Sequence, residues 1–521
     1  MENDNTLTLG LIVILYLFAI AFLGYLGYKK TKDASDYLLG GRQMNPIVLA
    51  LSYGATFISA SAIVGFGGVA ATFGMGIQWL CLLNMFMGVV IAFIVFGRRT
   101  RKLGVRHNAR TFPQLLGAHY GSKGIRIFTA AVIFIGMPLY AAVVMKGGAV
   151  FIERLFHIDL HVALLVFTLV VAAYVTTGGI KGVLYTDAMQ AIIMFLCMLF
   201  LLFWFYRIMG MGFTEANQAL TDLAPKVPER FQALGHQGWT SMPVTGSPQW
   251  YTLVTSLILG VGIGCLAQPQ LVVRFMMVDS TRQLNRGVLI GCLFLIITVG
   301  AIYHVGALSN LFFLKTHGVV ASEAIKDMDK IIPLFIDEAM PKWFGALFML
   351  CILSASMSTL SAQFHTMGAA FGADMFTRMF YRTHDNSTAI VRIGVLFSIL
   401  VSYIICYTLS AGIIARGTAL FMGVCAATFL PAYFCSLFWK KATRQGALAS
   451  LWIGALASLF AMLFLHKAEA APLGLCKALF GKDVLIETYP WHAIDPILFA
   501  LPLGCIAIVA VSLATRPKPA E

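Results

Sequence analysis

The segment LSASMSTLSAQ, residues 353–363, concentrates side-chain hydroxyls inside an apolar run long enough to form a helix. Ala355, Ser358 and Thr359 are spaced i, i+3, i+4, so they lie on one face of that helix. Hydroxyl oxygens beside a backbone carbonyl are suitable ligands for a small hard cation, which prefers oxygen. The alternative for each hydroxyl is a bond to its own helix or to a neighbouring one. Their density favours a cation site.

A second unusual segment is GATFISASAIVGFGG, residues 54–68, which places hydroxyls and glycines inside another apolar run. We expect the helix to break at its glycines, because a helix that only faced lipid would be filled with larger apolar residues. The predicted break residues are Gly65, Gly67 and Gly68. Carbonyls of an unwound helix lose their intrahelical partners and can coordinate an ion. Ala55 and Ile58 lie one turn apart just before these glycines, so their carbonyls are candidate ligands.

A later apolar run contains GVGIG, residues 260–264, followed by Gln268 and Pro269. We expect a second helix break there. The predicted break residues are Gly260, Gly262 and Gly264. Interruptions at corresponding positions of two halves of a membrane protein indicate a transporter site between internal repeats. The alternative is that these small residues only allow helices to pack closely.

The elements that carry these segments are predicted to cross a membrane. The chain has 521 residues, of which 59% are hydrophobic and 12% are charged, about half the charged fraction of a soluble domain. Apolar stretches of about 20 residues, the length of a transmembrane helix, recur along the chain. The sequence therefore predicts an all-α polytopic membrane protein. The thirteen predicted helices are 6–28, 46–73, 76–97, 125–153, 161–177, 183–207, 251–267, 286–312, 342–375, 388–410, 413–438, 446–466 and 495–515.

The net charge of +14 is distributed in short loops such as 97–110 and 439–444. This pattern is typical of cytoplasmic loops of membrane proteins, so we expect lipid rather than nucleic acid around the chain. The basic residues favour an N-terminus outside and a C-terminus in the cytoplasm, in a cell (inner) membrane. The long loops 208–250 and 313–341 are then external, and the second is predicted to form short surface helices. The sequence leaves the oligomeric state open.

Two charged residues fall within predicted helices. Asp187 lies near the start of the sixth helix, and a carboxylate in a membrane span is a functional hypothesis by default. The alternative is a hydrated interfacial aspartate paired with Lys181. Lys146 lies toward the outer end of the fourth helix, where it either extends its ammonium to the interface or neutralises an anionic substrate.

Four segments together resemble the signature segments of the sodium/solute symporter family, and they occur in the family's order. They are YLLGGRQM (37–44), ATFISASAIVGFGG (55–68), GGIKGVLYTDAMQ (178–190) and SASMSTLSAQ (354–363). The resemblance covers about residues 6–450. It implies a LeuT-type fold of two inverted five-helix repeats with thirteen transmembrane helices. The implied divisions are an extra N-terminal helix with its loop (1–45), the first repeat (46–207), an external loop (208–250), the second repeat (251–438) and two extra helices with a short tail (439–521).

The resemblance also implies a sodium site. Its ligands carry over as the carbonyls of Ala55, Ile58 and Ala355 and the hydroxyls of Ser358 and Thr359. Asp187 matches an acidic residue that the family associates with a sodium pathway or a second ion site. The implied cargo is Na⁺ together with a small-molecule substrate.

The substrate is harder to predict. Candidate binding residues are Thr56, Ser61, Gln78 and Lys146. Sugar-transporting members of the family carry polar side chains where Ser61 and Ala62 stand, which disfavours a hexose. Proline-transporting members carry an acidic residue where Phe57 stands. The segment 55–68 is most similar to the pantothenate and monocarboxylate branch, so the predicted substrate is a small organic anion. A proline-like amino acid or another neutral solute is the alternative.

The resulting prediction is a secondary active transporter that couples solute uptake to Na⁺. A membrane-embedded enzyme would need paired carboxylates, a histidine-rich metal set or a nucleophile with its base, and the sequence shows none of these. A sensor would need a signalling domain, which we do not expect. A channel would not require a hydroxyl-rich helix facing a broken one.

Overall fold

The computed structural model describes residues 2–29, 38–39, 45–278, 280–376 and 387–516. The motif at 37–44 lies outside the described residues except for Leu38 and Leu39. All regular elements in the described part are helical. The long helices are α1 (Glu2–Lys29), α2 (Pro46–Phe57), α3 (Ser61–Phe73), α4 (Met75–Arg106), α5 (Lys123–Phe156), α6 (Leu160–Met209), α7 (Pro248–Ala267), α8 (Leu284–His317), α9 (Lys342–Phe376), α10 (Ser387–Thr408), α11 (Ile414–Phe438), α12 (Arg444–Leu465) and α13 (Ile497–Ala514).

Short helices occupy the connections. They are Phe112–His119, Phe213–Asp222, Ala224–Lys226, Glu229–Gln232, Pro269–Val272, Val273–Met276, Ala321–Ala324, Met328–Lys330, Ile331–Ala339, Lys467–Leu473 and Leu475–Phe480. The loop 313–341, which the sequence predicts to be external, forms short helices from Ala321 onward as expected, and its first residues extend α8 to His317. Its helices are not confined to the surface, however, because Asp329, Ile331 and Phe335 are fully buried.

Ten helices in the described part are long and apolar enough to cross a membrane, and the bent pair α2–α3 makes an eleventh if it counts as one span. Two shorter apolar stretches, Leu11–Gly27 and Leu160–Ala173, stand beside them. This is the architecture of a multi-pass membrane protein.

The region predicted as separate helices 161–177 and 183–207 forms one continuous helix, α6, of 50 residues. At 1.5 Å per residue, a straight helix of this length would be about 75 Å long, more than twice the thickness of the hydrocarbon core. Of its two apolar stretches, Ile180–Met209 is long enough to cross a membrane and Leu160–Ala173 is shorter. The polar TTGGIKG stretch between them lowers hydropathy but leaves the backbone helical.

The first helix break does occur, but not at the predicted glycines. The backbone leaves the helix at Ile58 and Ser59, and α2 and α3 differ in direction by 55°. Gly65, Gly67 and Gly68 are all helical, so the prediction placed the break several residues too late. Their role is close packing. A Cβ on Gly65 would lie 2.8 Å from the Ala415 nitrogen, and one on Gly68 would overlap the Met328 carbonyl oxygen.

The second break is displaced in the same way. Gly260, Gly262 and Gly264 lie inside α7, and the helical path is interrupted at Gln268, whose ψ of 116° is extended. Pro269 then begins the next short helix, as expected for the first helical position. A Cβ on Gly264 would lie 2.5 Å from the Met422 carbonyl oxygen, and one on Gly262 would overlap the Leu83 side chain. These glycines allow α7 to pack against α11 and α4.

Helix α9 lies at the centre of the bundle. It packs against α2, α5, α6 and α10, and its residues from Cys351 to His365 are all buried. The hydroxyl-rich segment of α9 therefore faces protein and not lipid, next to the break between α2 and α3.

Candidate functional site

The candidate ion site begins at the end of α2. Asn45 caps this helix through its side chain, which accepts from the Ile47 N–H at 2.9 Å, and Pro46 occupies the first helical position. At the other end the Ile58 N–H still bonds to the Gly54 carbonyl. The carbonyls of the last turn then accept no hydrogen bond from a following helical turn, because the helix ends there. Ala55 and Thr56 belong to this turn.

Hydroxyls of α9 bond to these carbonyls. Ser358 Oγ donates to the Ala55 carbonyl at 2.9 Å, and two carbonyls of its own helix, those of Ser354 and Ala355, lie 2.7 and 3.3 Å away as alternative acceptors. One residue further, Thr359 Oγ1 donates to the Thr56 carbonyl at 3.0 Å. All these residues are buried. Two neighbouring hydroxyls on one helix thus pair with two neighbouring carbonyls at the end of another.

Neutral oxygens in this arrangement suit a small monovalent cation, because a hard cation prefers oxygen ligands and the set carries no charge that would demand a divalent ion. The structure brings together four of the five predicted sodium ligands, namely Ala55, Ala355, Ser358 and Thr359. The fifth, Ile58, lies in the break itself. The N–H of Ala62, which would bond to the Ile58 carbonyl in a regular α-helix, bonds to Ser59 instead.

The Thr56 carbonyl was missed. Sequence reasoning assigned Thr56 to the substrate because of its side chain, whereas the structure places its backbone carbonyl beside the Thr359 hydroxyl. The side chain of Thr56 turns the other way, toward Asp187 Oδ2 at 3.3 Å and toward the guanidinium of Arg274. The adjacent positions of Ser358 and Thr359 could have predicted it, because two adjacent hydroxyls match the adjacent carbonyls of Ala55 and Thr56.

Asp187 lies in a buried ionic cluster. Its Oδ2 is 2.9 Å from Arg274 Nη2 and accepts from Ser52 Oγ at 2.8 Å, and both charged side chains are at most 1% exposed. The suggested partner Lys181 is not the one that the structure shows. Arg274 was missed because it follows the second break, where the sequence predicted only a cytoplasmic loop. Its signal was a single arginine between the apolar pairs Val272–Val273 and Phe275–Met276.

A second polar contact links α1 to the same region. The Tyr16 hydroxyl lies 3.0 Å from Ser354 Oγ, and Gln190 Nε2 donates to it at 3.1 Å. Helices α1, α6 and α9 are therefore joined by a hydrogen-bonded chain one turn away from Ser358. Nothing in the sequence pattern indicated that Tyr16 and Gln190 would meet.

Each helix break carries a buried polar atom with no hydrogen-bond partner among the described residues. At the first break this atom is Ser61 Oγ, and at the second it is Gln268 Nε2. The segment that follows the first break, Ser61–Phe73, and the segment that precedes the second, Val261–Ala267, both pack against α11. Buried polar atoms are normally satisfied, so these two are candidates for contact with a polar ligand. The sequence predicts Ser61 as a substrate-binding residue, whereas it identifies Gln268 only as a residue that follows the second helix break.

Gln78 and Lys146 bond to backbone carbonyls. Gln78 Nε2 donates to the Gly300 carbonyl of α8 at 3.0 Å. Lys146 Nζ donates to the Leu409 carbonyl at 3.1 Å and to that of Ser410. Only 6% of Lys146 is exposed, so it does not extend to the interface as one alternative predicted. Its ammonium holds the connection between α10 and α11.

This connection also has acidic partners from the loop 313–341. Asp327 Oδ1 accepts from the Gly412 N–H at 3.1 Å, and Asp329 Oδ2 accepts from the Ile414 N–H at 3.5 Å. Burial raises the pKa of Asp329 to about 7, with a further increase from Asp327 and an opposing effect of the Lys146 ammonium. The loop 313–341 and the start of α11 are thus joined by hydrogen bonds.

The fold is that of a known class of transporter. The chain superimposes on a solved Na⁺-coupled sialic acid symporter with a TM-score of 0.76, covering 98% of this chain and 99% of that one at 17% sequence identity. A family model, the sodium:solute symporter family, matches residues 37–454. The chain belongs to this family, which confirms the family predicted from the four segments and Na⁺ as the coupled ion.

Relatives with assigned substrates are transporters as well. The chain is 28% identical over 443 residues to the high-affinity proline transporter PutP of Bacillus subtilis, covering 83% of this chain and 88% of the relative. It is 26% identical over 447 residues to a sodium/pantothenate symporter of Haemophilus influenzae, covering 85% and 87%. These similarities confirm the prediction of a transporter rather than an enzyme.

Proposed function

We propose that the protein is a secondary active transporter that carries a proline-like amino acid into the cell together with Na⁺. The observation that supports coupling to Na⁺ is the pair of hydrogen bonds from the Ser358 and Thr359 hydroxyls to the Ala55 and Thr56 carbonyls. The proline relatives support this substrate better than the pantothenate-like or monocarboxylate anion that the sequence alone favoured. The solute in either case has a carboxylate.

The architecture we propose is thirteen transmembrane helices built on two inverted five-helix repeats of the LeuT type. The repeats are 46–207 and 251–438, separated by the external loop 208–250. One helix precedes them within 1–45, and two follow within 439–521. In this topology the N-terminus is outside the cell (inner) membrane and the C-terminus is cytoplasmic, in agreement with the distribution of basic residues.

The sodium ion is proposed to bind the carbonyls of Ala55, Ile58 and Ala355 and the hydroxyls of Ser358 and Thr359. The hydroxyls then rotate their O–H groups away from the α2 carbonyls and present lone pairs to the ion, and the ion links α2 to α9. Asp187 is proposed as part of a sodium pathway or second site. Its Oδ1 has no hydrogen-bond partner in the described part of the chain, although Arg274 holds its other oxygen.

The solute is proposed to bind between the two helix breaks, where Ser61 Oγ and Gln268 Nε2 are buried without partners among the described residues. A hydroxyl and an amide N–H at this position are suitable donors to a carboxylate. Na⁺ and solute bind to opposite sides of the same unwound segment. Each therefore favours the arrangement that the other needs, and the linkage is reciprocal.

A small carboxylate without an amino group is the second candidate, and Phe57 is the observation that favours it. Proline-transporting members carry an acidic residue at this position. Here the phenyl ring is buried and stacks on Tyr53 at a centroid distance of 6.4 Å. No acidic group is available at this point to face a substrate ammonium. Pantothenate and monocarboxylates have no ammonium and would not need one.

Uptake into proteoliposomes tests the proposal. Labelled proline, pantothenate and a pool of pyruvate, lactate and acetate are offered separately, with an inward Na⁺ gradient or with K⁺ in its place. We expect proline to accumulate only with the Na⁺ gradient, and gramicidin to abolish the accumulation. Accumulation of pantothenate or the monocarboxylates instead would identify the second candidate. Uptake of any of these solutes without a gradient requirement would contradict the coupling.

A further inference from the structure

A cavity of about 620 Å³ lies between α1, α6, α9 and α10. Residues from each helix line it, among them Leu17, Ile20 and Tyr25 of α1, Val170 of α6, Met357 of α9 and Arg392 of α10. None of the described lining residues belongs to α2, α3 or α7, so the cavity is separate from the proposed transport site. The proposed function gives it no role.

The cavity is apolar at one end and polar at the other. Ile20 and Met357 are the buried apolar residues of the lining, with Leu17 beside Ile20 one turn earlier on α1. Tyr25 and Arg392 lie near one end of α1 and of α10, and Thr176 lies between the two apolar stretches of α6. Eight residues of α1 separate Leu17 from Tyr25, a rise of about 12 Å. One leaflet of the hydrocarbon core is about 15 Å thick. The apolar part therefore has about the depth of one leaflet.

Arg392 carries the charge at the polar end. It is exposed, and it makes no hydrogen bond or ion pair with the residues that the structure describes. It lies near the start of α10, at the same end of the bundle as the last turns of α1. A guanidinium offers a planar pair of donors that matches the oxygens of a phosphate.

We propose that this cavity binds an anionic phospholipid, with an acyl chain along Leu17, Ile20 and Met357 and the headgroup phosphate on Arg392. Basic pockets between transmembrane helices on the cytoplasmic side are a recognised form of lipid site. Placement in the cytoplasmic leaflet rests on the topology of the proposed function. The binding site itself does not, because its charge and shape are the same in either orientation.

The position of the cavity connects it to the ion site. Met357 immediately precedes Ser358, and Tyr16 of α1 contacts Ser354 on the same helix at 3.0 Å. At the polar end, Gly27 packs so closely on Gly182 of α6 that a Cβ would overlap its backbone. A lipid in the cavity therefore fills the space between α1 and the helix that carries the hydroxyls, and it stabilises α1 in place.

Native mass spectrometry of the full chain in detergent tests this proposal. Phosphatidylglycerol, phosphatidylcholine with the same acyl chains, and oleate are added separately. We expect wild type to bind phosphatidylglycerol about fivefold more tightly than phosphatidylcholine, which corresponds to about 1 kcal/mol for one basic residue. Arg392→Gln should remove this preference, Arg392→Lys should retain most of it, and Arg282→Gln, which removes an exposed arginine elsewhere, should leave it unchanged.

Two further outcomes would overturn the proposal. Equal binding of phosphatidylglycerol and phosphatidylcholine by wild type would exclude a site selective for anionic lipid, and oleate binding as tightly as phosphatidylglycerol would identify a fatty acid as the ligand. Ala21→Trp fills the cavity and should weaken binding of both phospholipids. Unchanged binding by this variant would place the lipid elsewhere. None of these results depends on transport, so failure here and failure of the proposed function are distinguishable.

Discussion

Ser358 of α9 donates a hydrogen bond of 2.9 Å to the carbonyl of Ala55 at the end of α2. The two residues are 303 positions apart in the chain, and the contact fixes the most hydroxyl-rich helix against the helix break. Thr359 and Thr56 repeat the same relationship one residue later, at 3.0 Å.

Replacement of Ser358 by alanine is expected to raise the Na⁺ concentration for half-maximal uptake by roughly 10- to 100-fold, because a hydrogen-bonding group facing a charge is worth about 1.5–3 kcal/mol. Uptake is measured over a range of Na⁺ concentrations at constant ionic strength. Ser361→Ala is the matched control, since the Ser361 hydroxyl bonds to the Ser358 carbonyl within its own helix. An equal change in both variants would refute a direct role of Ser358.

Replacement of Arg274 by methionine is expected to lower the apparent Tm of the purified protein strongly. It leaves the buried Asp187 carboxylate without its cation, and breaking a buried pair in this way costs about 3–5 kcal/mol. Adding Asp187→Asn to Arg274→Met should recover part of the loss. A double variant no more stable than Arg274→Met would show that the two residues are not energetically coupled.

The stability of the contact between the loop 313–341 and α11 is expected to depend on pH through Asp329. Its pKa is raised to about 7 in the folded protein by burial and by Asp327, against about 3.9 in an unfolded chain. Between these values the folded state binds more protons, so stability is greatest at low pH and falls as pH rises from about 4 to 7.

The apparent Tm of wild type and Asp329→Asn between pH 5 and 8 measures this effect. The decrease in Tm toward pH 7 should be smaller in Asp329→Asn, with Asp222→Asn, an exposed aspartate in an external helix, as the control. The same slope in wild type and Asp329→Asn would mean that Asp329 does not contribute.

Replacement of Gly68 by alanine is expected to destabilise the protein, because the new Cβ would overlap the backbone carbonyl of Met328. Gly212→Ala is the control, since a Cβ on Gly212 has no atom within 4 Å. The yield of monodisperse protein and its apparent Tm are the measurements. Wild-type stability of Gly68→Ala would show that α3 and the external loop separate easily.

The residues of the proposed ion site could be predicted largely from the sequence, because they are recognised by their spacing within single helices. The i, i+3, i+4 spacing placed Ala355, Ser358 and Thr359 on one face, and the structure brings that face to Ala55. The predicted positions of both helix breaks were wrong, because glycine permits both an unwound backbone and a close contact between helices. Gly68 and Gly264 face neighbouring carbonyls, and only the packed structure distinguishes the two roles.

The pairing of charges could not be predicted in the same way. Asp187 and Arg274 are 87 residues apart and belong to different halves of the chain, and no periodicity relates them. Lys146 was recognised as an embedded charge, but its partners are backbone carbonyls of a connection more than 260 residues away. Every residue has a backbone carbonyl, so residue types alone do not predict which carbonyls a lysine will contact.

The two hydroxyl–carbonyl pairs have a consequence for ion release. The Ala55 and Thr56 carbonyls at the end of α2 each accept a hydrogen bond from a hydroxyl of α9. A bound cation replaces these hydrogen bonds, so the free energy of binding is only the difference between the two sets of interactions. We therefore expect the proposed site to bind its ion weakly and to re-form its hydrogen bonds once the ion leaves. A transporter has to release its ion in every cycle. In the proposed site, the Ser358 and Thr359 hydroxyls that bind the ion also re-form hydrogen bonds with the α2 carbonyls after the ion is released.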